Sequence, residues 1–568
     1  MRGLKSLVLA CLAVAIEAAP AAFSSNKLGA VSSESSVCTQ IGIDLLKAGG
    51  TAADALVGTV FCVGVVAPYH SGIGGGGFML VRNASGSYEF VDFRETMPAA
   101  GFTDMYKNNS AASLYGGLAS GVPGELRGTE YLHKKYGKLP WATVMKPAID
   151  LAYHGFTVTE DTVHYFERTT PEFFGSASFL TEDPSWAIDF APKGKLLGIG
   201  DTLTRKRYAG TLQEIATKGA DAFYKGPIAE ATIDAVRNAN ASKGIMTLKD
   251  LANYSVITSK PPVSIDYRDY KITAGSAPSG GAVVLSVMKA IEGYSGMGDP
   301  SQVTLSTQRI VEATRFAYGQ RTLLGDPAFV SNLDVYQNEM VNATTAARTR
   351  SLISDTQTQN VSHYNPSGFV VLTDHGTSAI TVADKSGLVI ALTTTVNTLF
   401  GSQVMVPSTG VIMNNEMNDF SIPGTTNAFG YVASPDNYVQ PGKRPLSSIS
   451  PTIVENKATG KFYFATGAAG GSRIITSVLQ SLWNVLDKNM TSLEAVKAPR
   501  WHNQLLPNVL EMELSYDNKT VAALKAKAHN ITRVAISASD LSVVRQFADG
   551  TFEAAGETRM HNASGLVV

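Results

Sequence analysis

The chain has 568 residues with 47 basic and 48 acidic side chains, so its formal net charge is −1 at pH 7. This nearly even balance of charge does not indicate a nucleic acid or an anionic membrane surface as a partner. The length allows about four domains or one large fold of mixed α and β elements, and 52 glycines predict many tight turns.

The N-terminus has the pattern of a secretory signal peptide. Arg2 and Lys5 form a basic start, residues 7–16 are apolar, and residues 18–22 are small. The apolar run is shorter than the roughly 20 residues of a membrane-spanning helix, and no later segment supplies a stable span. We therefore predict a cleaved signal over residues 1–19 and a secreted or extracellular protein. A vacuolar or cell-surface destination stays open, and a retained short anchor is the alternative.

Glycosylation motifs and cysteines agree with the secretory route. Of three cysteines, Cys11 lies in the signal, while Cys38 and Cys62 lie in two helical patterns separated by Gly49-Gly50. A disulfide between two antiparallel helices suits an oxidising compartment, and two buried free thiols are the alternative. The ten Asn-x-Ser/Thr sites are Asn83, Asn108, Asn240, Asn253, Asn342, Asn360, Asn489, Asn518, Asn530 and Asn562.

A glycine-rich stretch, SGIGGGGFMLVR, follows the predicted helices. Gly72, Gly74 and Gly77 satisfy G-x-G-x-x-G, but the dinucleotide fingerprint needs a helix next, and residues 78–82 predict a strand. A tight bend packed against another backbone is the better interpretation. Residues 115–260 predict mainly helices and loops, whereas alternating β patterns dominate from about residue 365, followed by long helices. This order of predicted strands and helices favours sheets covered by helices over repeated βαβ units.

Residues 374–395 read DHGTSAITVADKSGLVIALTTT and predict a β-hairpin. One strand covers residues 378–384, residues 384–387 supply the turn, and residues 388–395 form a β-branched second strand. Folding the runs about Ser386 places Thr377 opposite Thr395. Asn397 lies two residues further on and is expected on the same side.

No metal-ligand spacing is present, the nine histidines are scattered, and neither G-x-S-x-G nor H-E-x-x-H occurs. A Ser-His-Asp triad is not excluded by spacing, but no motif nominates one. Another nucleophile is a threonine freed at a new N-terminus, whose α-amine serves as the base for its own hydroxyl. The Gly376-Thr377 bond is a sterically open candidate for that cleavage.

Several motifs occur together in order: GIGGGGFMLVR, FRETMPAA, the hairpin, NNEMNDF, QPGKRPLSSISPT and TGAAGGSRI. With them the chain resembles the gamma-glutamyltransferase (gamma-glutamyltranspeptidase) family of N-terminal-nucleophile hydrolases over nearly its whole mature length. The resemblance implies an α+β fold, a four-layer αββα sandwich. It also implies a proenzyme that cuts itself at Gly376-Thr377 into a heavy subunit (residues 20–376) and a light subunit (residues 377–568), which stay together as a heterodimer.

The resemblance assigns the catalytic steps to the hairpin. Thr377 would attack a γ-glutamyl amide to give an acyl-enzyme, and Thr395 would hydrogen-bond the nucleophile's hydroxyl. The strand-glycine-helix pattern of GAAGGSRIITSVLQ places the backbone N–H groups of Gly470 and Gly471 where an oxyanion can be held. A phosphate site with Arg473 is the rival interpretation, but the Lys-Ser/Thr ending of a P-loop is missing.

A γ-glutamyl group ends in an ammonium and an α-carboxylate, and the family's motifs supply partners for both. A guanidinium fork and hydroxyls suit the carboxylate, and acidic groups suit the ammonium. By resemblance the substrate-binding residues are Arg94, Ser447 and Ser448 for the carboxylate, Glu416 and Asp419 for the ammonium, and Asn397 between them. Taken singly, each has a structural interpretation: a surface salt bridge, loop caps or a solvated turn. The implied substrates are glutathione, γ-glutamyl conjugates and acceptor amino acids or dipeptides, with no metal or cofactor.

The chain departs from the family at two places. Ala379 stands where members usually carry a histidine two residues after the nucleophile, and His375 is the nearest candidate to compensate. The sequence after Arg559 also differs from the usual ending. Two rivals therefore stay open beside the active enzyme: an uncut, glycosylated pseudoenzyme acting as a binding protein, and a relative that deacylates β-lactam side chains.

Overall fold

The computed structural model describes residues 27–169, 178–370, 376–426, 430–536 and 539–568. The predicted signal peptide, Cys11 and His375 lie outside these residues. Among the described residues, no helix is both long enough and apolar enough to cross a membrane.

Helices and strands alternate along the described chain. The α-helices are α1 (Ser36–Lys47), α2 (Ala52–Val66), α3 (Glu125–Tyr136), α4 (Trp141–His154), α5 (Glu160–Glu167), α6 (Phe179–Glu182), α7 (Pro184–Phe190), α8 (Lys206–Lys218), α9 (Asp221–Tyr224), α10 (Pro227–Arg237), α11 (Leu248–Asn253), α12 (Gly281–Glu292), α13 (Val303–Arg321), α14 (Leu333–Met340), α15 (Ala343–Leu352), α16 (Val361–Tyr364), α17 (Arg473–Leu486), α18 (Ser492–Lys497) and α19 (Asn518–Ala526). The strands are β1 (Gly29–Ser33), β2 (Gly76–Arg82), β3 (Tyr88–Phe93), β4 (Phe156–Thr157), β5 (Thr202–Leu203), β6 (Val263–Tyr267), β7 (Tyr270–Ala274), β8 (Phe369–Val370), β9 (Ser378–Asp384), β10 (Val389–Thr395), β11 (Val432–Ala433), β12 (Thr452–Asn456), β13 (Phe462–Ala469), β14 (Trp501–His502), β15 (Leu510–Glu513), β16 (Ile531–Val534), β17 (Asp540–Gln546), β18 (Phe552–Gly556) and β19 (Ser564–Val567).

Two six-stranded sheets form the centre of the molecule. Their strand orders are β19-β1-β9-β10-β2-β3 and β18-β17-β13-β12-β7-β6, with antiparallel neighbours throughout. The sheets face each other through β9, β10, β13 and β17, helices α1 and α2 cover the first sheet, and α12 and α17 cover the second. The predicted four-layer αββα sandwich is confirmed.

Alternating side chains on the hairpin explain how the two sheets approach each other. Ile380 and Val382 pack into the apolar core shared with α1 and α2, whereas Ala383 and Ala391 belong to the core shared with the second sheet. Between the sheets the Thr381 hydroxyl donates to the Ser542 carbonyl oxygen at 3.0 Å. Small inward-facing residues thus bring the nucleophile's strand close to the second sheet.

The glycine-rich bend and the helix pair follow the sequence-based predictions. The glycines lead into β2 rather than a helix, so no dinucleotide fold is formed. In α2, Thr51 and Asp54 form a reciprocal capping box, which starts the helix immediately after the Gly49-Gly50 stop. Cys38 in α1 and Cys62 in α2 form a disulfide with a Cα–Cα distance of 5.3 Å, which confirms the predicted pairing.

Both central sheets contain strands from either side of Gly376. The first combines β1, β2 and β3 with β9, β10 and β19, and the second combines β6 and β7 with four strands from the later part of the chain. Strands of the two parts are therefore hydrogen-bonded neighbours within each sheet. A backbone break at residue 376 would leave these ladders intact.

Candidate active site

The hairpin has the register that the sequence predicts. Ser378 of β9 pairs with Thr394 of β10, so the next step of the ladder sets Thr377 beside Thr395. The second strand begins one residue later than predicted, at Val389. Thr377 is buried at 6% exposure. The two threonines therefore meet at one end of the hairpin.

The bond before Thr377 is held by side-chain and backbone contacts. The Thr395 hydroxyl donates to the Gly376 carbonyl oxygen at 2.7 Å and accepts from the Asn397 N–H at 2.7 Å. In the unbroken chain Thr395 thus contacts the carbonyl of the predicted cleavage bond, where the resemblance implies a contact with the Thr377 hydroxyl. Gly376 has φ +78°, and a Cβ there would lie 2.4 Å from the Asn397 carbonyl oxygen. Glycine is therefore required by both conformation and space.

Asn397 does not continue the strand. Its φ of +77° turns the backbone, and its side-chain amide donates to the Asn415 carbonyl oxygen at 3.0 Å. Asparagine tolerates this left-handed conformation better than most residues. The turn connects the nucleophile's hairpin to the loop that carries the predicted ammonium-binding acids.

A glycine turn from the second sheet meets Thr377. Gly470 and Gly471 lie between β13 and α17 and have φ values of +115° and +63°. The Gly470 N–H donates to the Thr377 hydroxyl oxygen at 2.8 Å. A backbone donor near a helix N-terminus is thus aimed at the nucleophile itself.

Arg94, Glu416 and Asp419 converge in one buried cluster. Arg94 follows β3 and is 1% exposed, and its two terminal nitrogens form ion pairs with Glu416 and Asp419. Its other side-chain hydrogen bonds are long, at 3.5 Å to the Pro445 and Leu446 carbonyl oxygens. The sequence predicts that these groups bind opposite ends of a ligand, whereas in the structure they neutralise each other. Buried charges need such pairing, because an unpaired ion in the interior is costly.

The cluster retains an open acceptor. Glu416 is only 1% exposed, and its Oε2 atom has no hydrogen-bond partner. Two carboxylates against one guanidinium also leave one formal negative charge. The cluster is therefore suited to a cationic group such as an ammonium.

The two predicted serines lie in the loop before β12. The Ser447 hydroxyl oxygen accepts from the Ile449 N–H at 3.2 Å, and the Ser448 hydroxyl oxygen accepts from Nη2 of Arg321 at 3.1 Å. Both serines are buried. Their loop adjoins the carbonyls of residues 445 and 446 that contact Arg94, so the serines and the charged cluster occupy one neighbourhood.

The family assignment rests on the length of the match as well as on this geometry. The family model for gamma-glutamyltranspeptidase matches residues 38–567. The chain belongs to the gamma-glutamyltranspeptidase family. It is 52% identical to a glutathione hydrolase proenzyme of Arthroderma benhamiae, with 97% of this chain and 94% of the relative covered, and 47% identical to a glutathione hydrolase of Aspergillus flavus, with 95% and 90% covered.

Solved structures agree with the family assignment. The cephalosporin acylase of Bacillus halodurans superposes with a TM-score of 0.83 over 99% of both chains at 24% identity, which supports the fold alone. A chain of the gamma-glutamyltranspeptidase of Helicobacter pylori is 30% identical, with a TM-score of 0.53 over 60% of this chain and 94% of that chain. The sandwich is thus the gamma-glutamyltranspeptidase member of the N-terminal-nucleophile hydrolase fold.

Ala379, at the position where the resemblance leads us to expect a histidine, lies between the two sheets. It is 4% exposed, pairs with Thr393 across the hairpin, and lies 3.6 Å from the place of a Cβ on Gly467. The contacts to Thr377 and Gly376 come from other residues. On the opposite face of the strand, Ser378 donates to Glu34, whose second oxygen lies 2.8 Å from Nδ1 of His70.

Three buried residues near the site were missed by the sequence analysis. Arg321 contacts Ser448, and Glu95 adjoins Arg94 with neither carboxylate oxygen hydrogen-bonded. Burial raises the pKa of Glu95 to about 8 despite the opposing effect of Arg94. Glu125 accepts from the Thr394 hydroxyl, and burial raises the pKa of its carboxyl to about 7. Only the adjacency of Glu95 to Arg94 in FRE was a usable signal.

The described residues contain no cluster of three or more His, Cys, Asp or Glu side chains arranged to hold a metal ion.

Proposed function

We propose that the chain is a glutathione hydrolase and gamma-glutamyltransferase that first cuts itself between Gly376 and Thr377. The observation that carries the proposal is the pair of contacts at that bond: the Gly470 N–H on the Thr377 oxygen and the Thr395 hydroxyl on the Gly376 carbonyl. One donor is directed at the attacking atom and the other at the oxygen where negative charge develops.

The self-cleavage proceeds within these contacts. The Thr377 oxygen attacks the Gly376 carbonyl carbon, the amide C–N bond breaks, and the hydroxyl proton ends on the Thr377 nitrogen. Water then hydrolyses the resulting ester, releasing the Gly376 carboxylate and restoring the hydroxyl. The Thr395 donor stabilises the oxyanion in this step. Thr377 becomes an N-terminal residue whose amine has an ordinary pKa of about 7.7–8.0 and serves as the base.

The freed threonine then acts on the γ-glutamyl amide. Its oxygen attacks the γ-carbonyl carbon, the amine leaves with a proton, and a γ-glutamyl ester of Thr377 remains until water or an acceptor amine removes it. Gly470, with Gly471 beside it, supplies the backbone N–H side of the oxyanion site. Removal of one such donor costs about 100- to 1000-fold in rate in a comparable enzyme.

The charged cluster selects the γ-glutamyl end. The open Glu416 oxygen and the excess negative charge receive the ammonium, and Arg94, Ser447 and Ser448 receive the α-carboxylate as the ligand competes for the internal ion pairs. Asn397 connects the two loops. This chemistry favours an α-amino acid over the glutaryl groups of β-lactam side chains, because a glutaryl group has no ammonium.

We also propose that the protein follows the secretory pathway with its signal removed, and that residues 20–376 and 377–568 form a heterodimer. The Cys38–Cys62 disulfide and the ten glycosylation motifs support an oxidising route. The hydrogen-bonded ladders that join the two parts support a stable pair of subunits after cleavage.

Two experiments test this proposal. The first is mass analysis and N-terminal sequencing of the purified, deglycosylated protein, and the second compares its hydrolysis of two substrates. We expect a light chain that begins at Thr377 and hydrolysis of a γ-glutamyl anilide but not of a glutaryl anilide. An intact chain without activity would support the uncut binding protein, and Ala379 would be the first residue to test as the cause of failed cleavage. Preference for the glutaryl compound would support the acylase.

A further inference from the structure

Arg321 is a buried cation without an acidic partner. It is the last residue of α13 and is 5% exposed. Its Nη2 donates to the Ser448 hydroxyl oxygen, and its Nε has no hydrogen-bond partner. Among the described residues, no carboxylate oxygen lies within 4.0 Å of its nitrogens. The buried Arg205 and Arg315 also lack such a pair, but Arg205 donates to three backbone carbonyls and Arg315 donates to the Gln359 carbonyl. Other buried arginines do form carboxylate pairs: Arg82, Arg94, Arg444 and Arg500.

The Arg321 side chain lines a narrow cleft. The cleft has only about 20 Å³ of room for a water-sized group and is partly open to solvent, and its walls include Tyr318, Asn365, Ser472 and Gln504. An arginine that is neither exposed nor neutralised is expensive to bury, so its presence beside a cleft is a sign of an anionic ligand.

The cleft lies next to the glycine turn whose N–H contacts the nucleophile. The Tyr318 hydroxyl donates to the Ser472 carbonyl oxygen at 2.7 Å, and Ser472 comes two residues after Gly470, the donor to Thr377. Arg94, Glu416 and Asp419 do not line it. One turn of α13 therefore contacts both the serine loop and the oxyanion turn.

We infer that Arg321 binds a carboxylate on the leaving-group side of the substrate. With the γ-glutamyl end in the charged cluster and the scissile carbonyl at Gly470, the leaving group extends over Ser472 into the cleft. Gly470 and Ser472 are at most about 7 Å apart, the span of a two-residue peptide. The ligand class is thus a short peptide with a free C-terminus, as a leaving group or as an acceptor. The inference rests on the proposed function of the site.

The test compares substrates that differ only at this carboxylate. Hydrolysis of glutathione, of glutathione amidated at its C-terminus, and of a γ-glutamyl anilide is measured for the wild type, Arg321→Gln and Arg321→Lys. Arg309→Gln is the matched control, because it removes a guanidinium from the same helix at a site that is paired with Asp355 and does not line the cleft. Light-chain content and the thermal unfolding midpoint are recorded for each protein.

We expect the wild type to prefer the free acid over the amide by about 10- to 100-fold in kcat/KM, the usual worth of a charged hydrogen-bonded pair. Arg321→Gln brings the rates on the acid and the amide together, Arg321→Lys keeps part of the preference, and Arg309→Gln keeps all of it. Equal rates on acid and amide with the wild type overturn the inference without any variant.

Equal losses on all three substrates in Arg321→Gln also overturn it, since Arg321 would then support the acyl end or the fold. If the wild type cleaves none of the γ-glutamyl compounds, the proposed function itself fails and the inference falls with it. An active wild type that does not discriminate the carboxylate removes only the inference.

Discussion

The Thr395 hydroxyl donates to the carbonyl oxygen of Gly376 at 2.7 Å, across the end of the hairpin that carries Thr377. Its own oxygen accepts from the Asn397 N–H, which fixes the direction of the hydroxyl proton. In the proposed self-cleavage, a single side chain would therefore polarise the amide whose cleavage gives the nucleophile a free amine. We therefore propose that the second threonine of the hairpin acts in maturation, before any substrate is bound.

Removal of this hydroxyl should slow maturation. We expect Thr395→Val to process about 100- to 1000-fold more slowly than the wild type, because one oxyanion donor is lost while the shape is kept. Thr395→Ser retains the donor and should mature within about tenfold of the wild-type rate. Mass spectrometry of the light chain over time measures this. Processing of Thr395→Val at the wild-type rate would mean that another donor stabilises the oxyanion.

Gly376→Ala should also block maturation, by a steric route. The substitution places a Cβ 2.4 Å from the Asn397 carbonyl oxygen at φ +78°, so the backbone must move away from Thr395. Gly460→Ala is the matched control, since its φ is +64° but no atom lies within 4 Å of the added Cβ. We expect an uncut chain for Gly376→Ala and normal cleavage for Gly460→Ala. Equal cleavage of both would show that the crowding is relieved locally.

The charged cluster should contribute to stability as well as to binding. Arg94→Met leaves two buried carboxylates without their cation and should lower the free energy of unfolding by about 3–5 kcal/mol. Combining it with Glu416→Gln and Asp419→Asn removes both charges and should restore part of the loss. Urea unfolding of the three proteins decides this. If the triple variant is no more stable than Arg94→Met, the loss of stability comes from the packing of the Arg94 side chain and not from its charge.

Glu95 should make stability fall with rising pH. Burial raises the pKa of its folded-state carboxyl from 4.5 to about 8, so the folded protein retains a proton that the unfolded chain releases above pH 4.5. The folded state is therefore penalised progressively between about pH 4.5 and 8, and the penalty is constant above that range. Glu95→Gln should match the wild type near pH 4.5 and exceed its stability at pH 8. Parallel pH profiles for both proteins would contradict this assignment.

The disulfide should stabilise the helix pair that covers the nucleophile's sheet. Cys38 and Cys62 are 24 residues apart, and closing a loop of that size is worth about 3 kcal/mol. We expect the Cys38→Ala, Cys62→Ala double variant to unfold at a lower urea concentration than the oxidised wild type. The wild type under reducing conditions is the control and should shift in the same direction. No shift in either would mean that helix packing alone holds α1 on α2.

The sequence by itself determined the local parts of this protein. Period-2 alternation, the turn at residues 384–387 and the β-branched runs specified the hairpin register, and the glycine stop between two helices made the cysteine pairing predictable. The order of motifs also indicated the family and the identity of the residues at the site. These features depend on neighbours in the chain, whose geometry follows from backbone periodicity.

Only the tertiary structure decided how the distant groups are partnered. Arg94 and Glu416 are 322 residues apart in sequence, yet their ion pair exists because the sheets bring the end of β3 onto the 416–419 turn. The contact of Arg321 with Ser448, the isolation of Glu95 and the direction of the Thr395 hydroxyl arise in the same way. Burial and electrostatic pairing depend on which surfaces pack together, and no spacing along the chain encodes that directly.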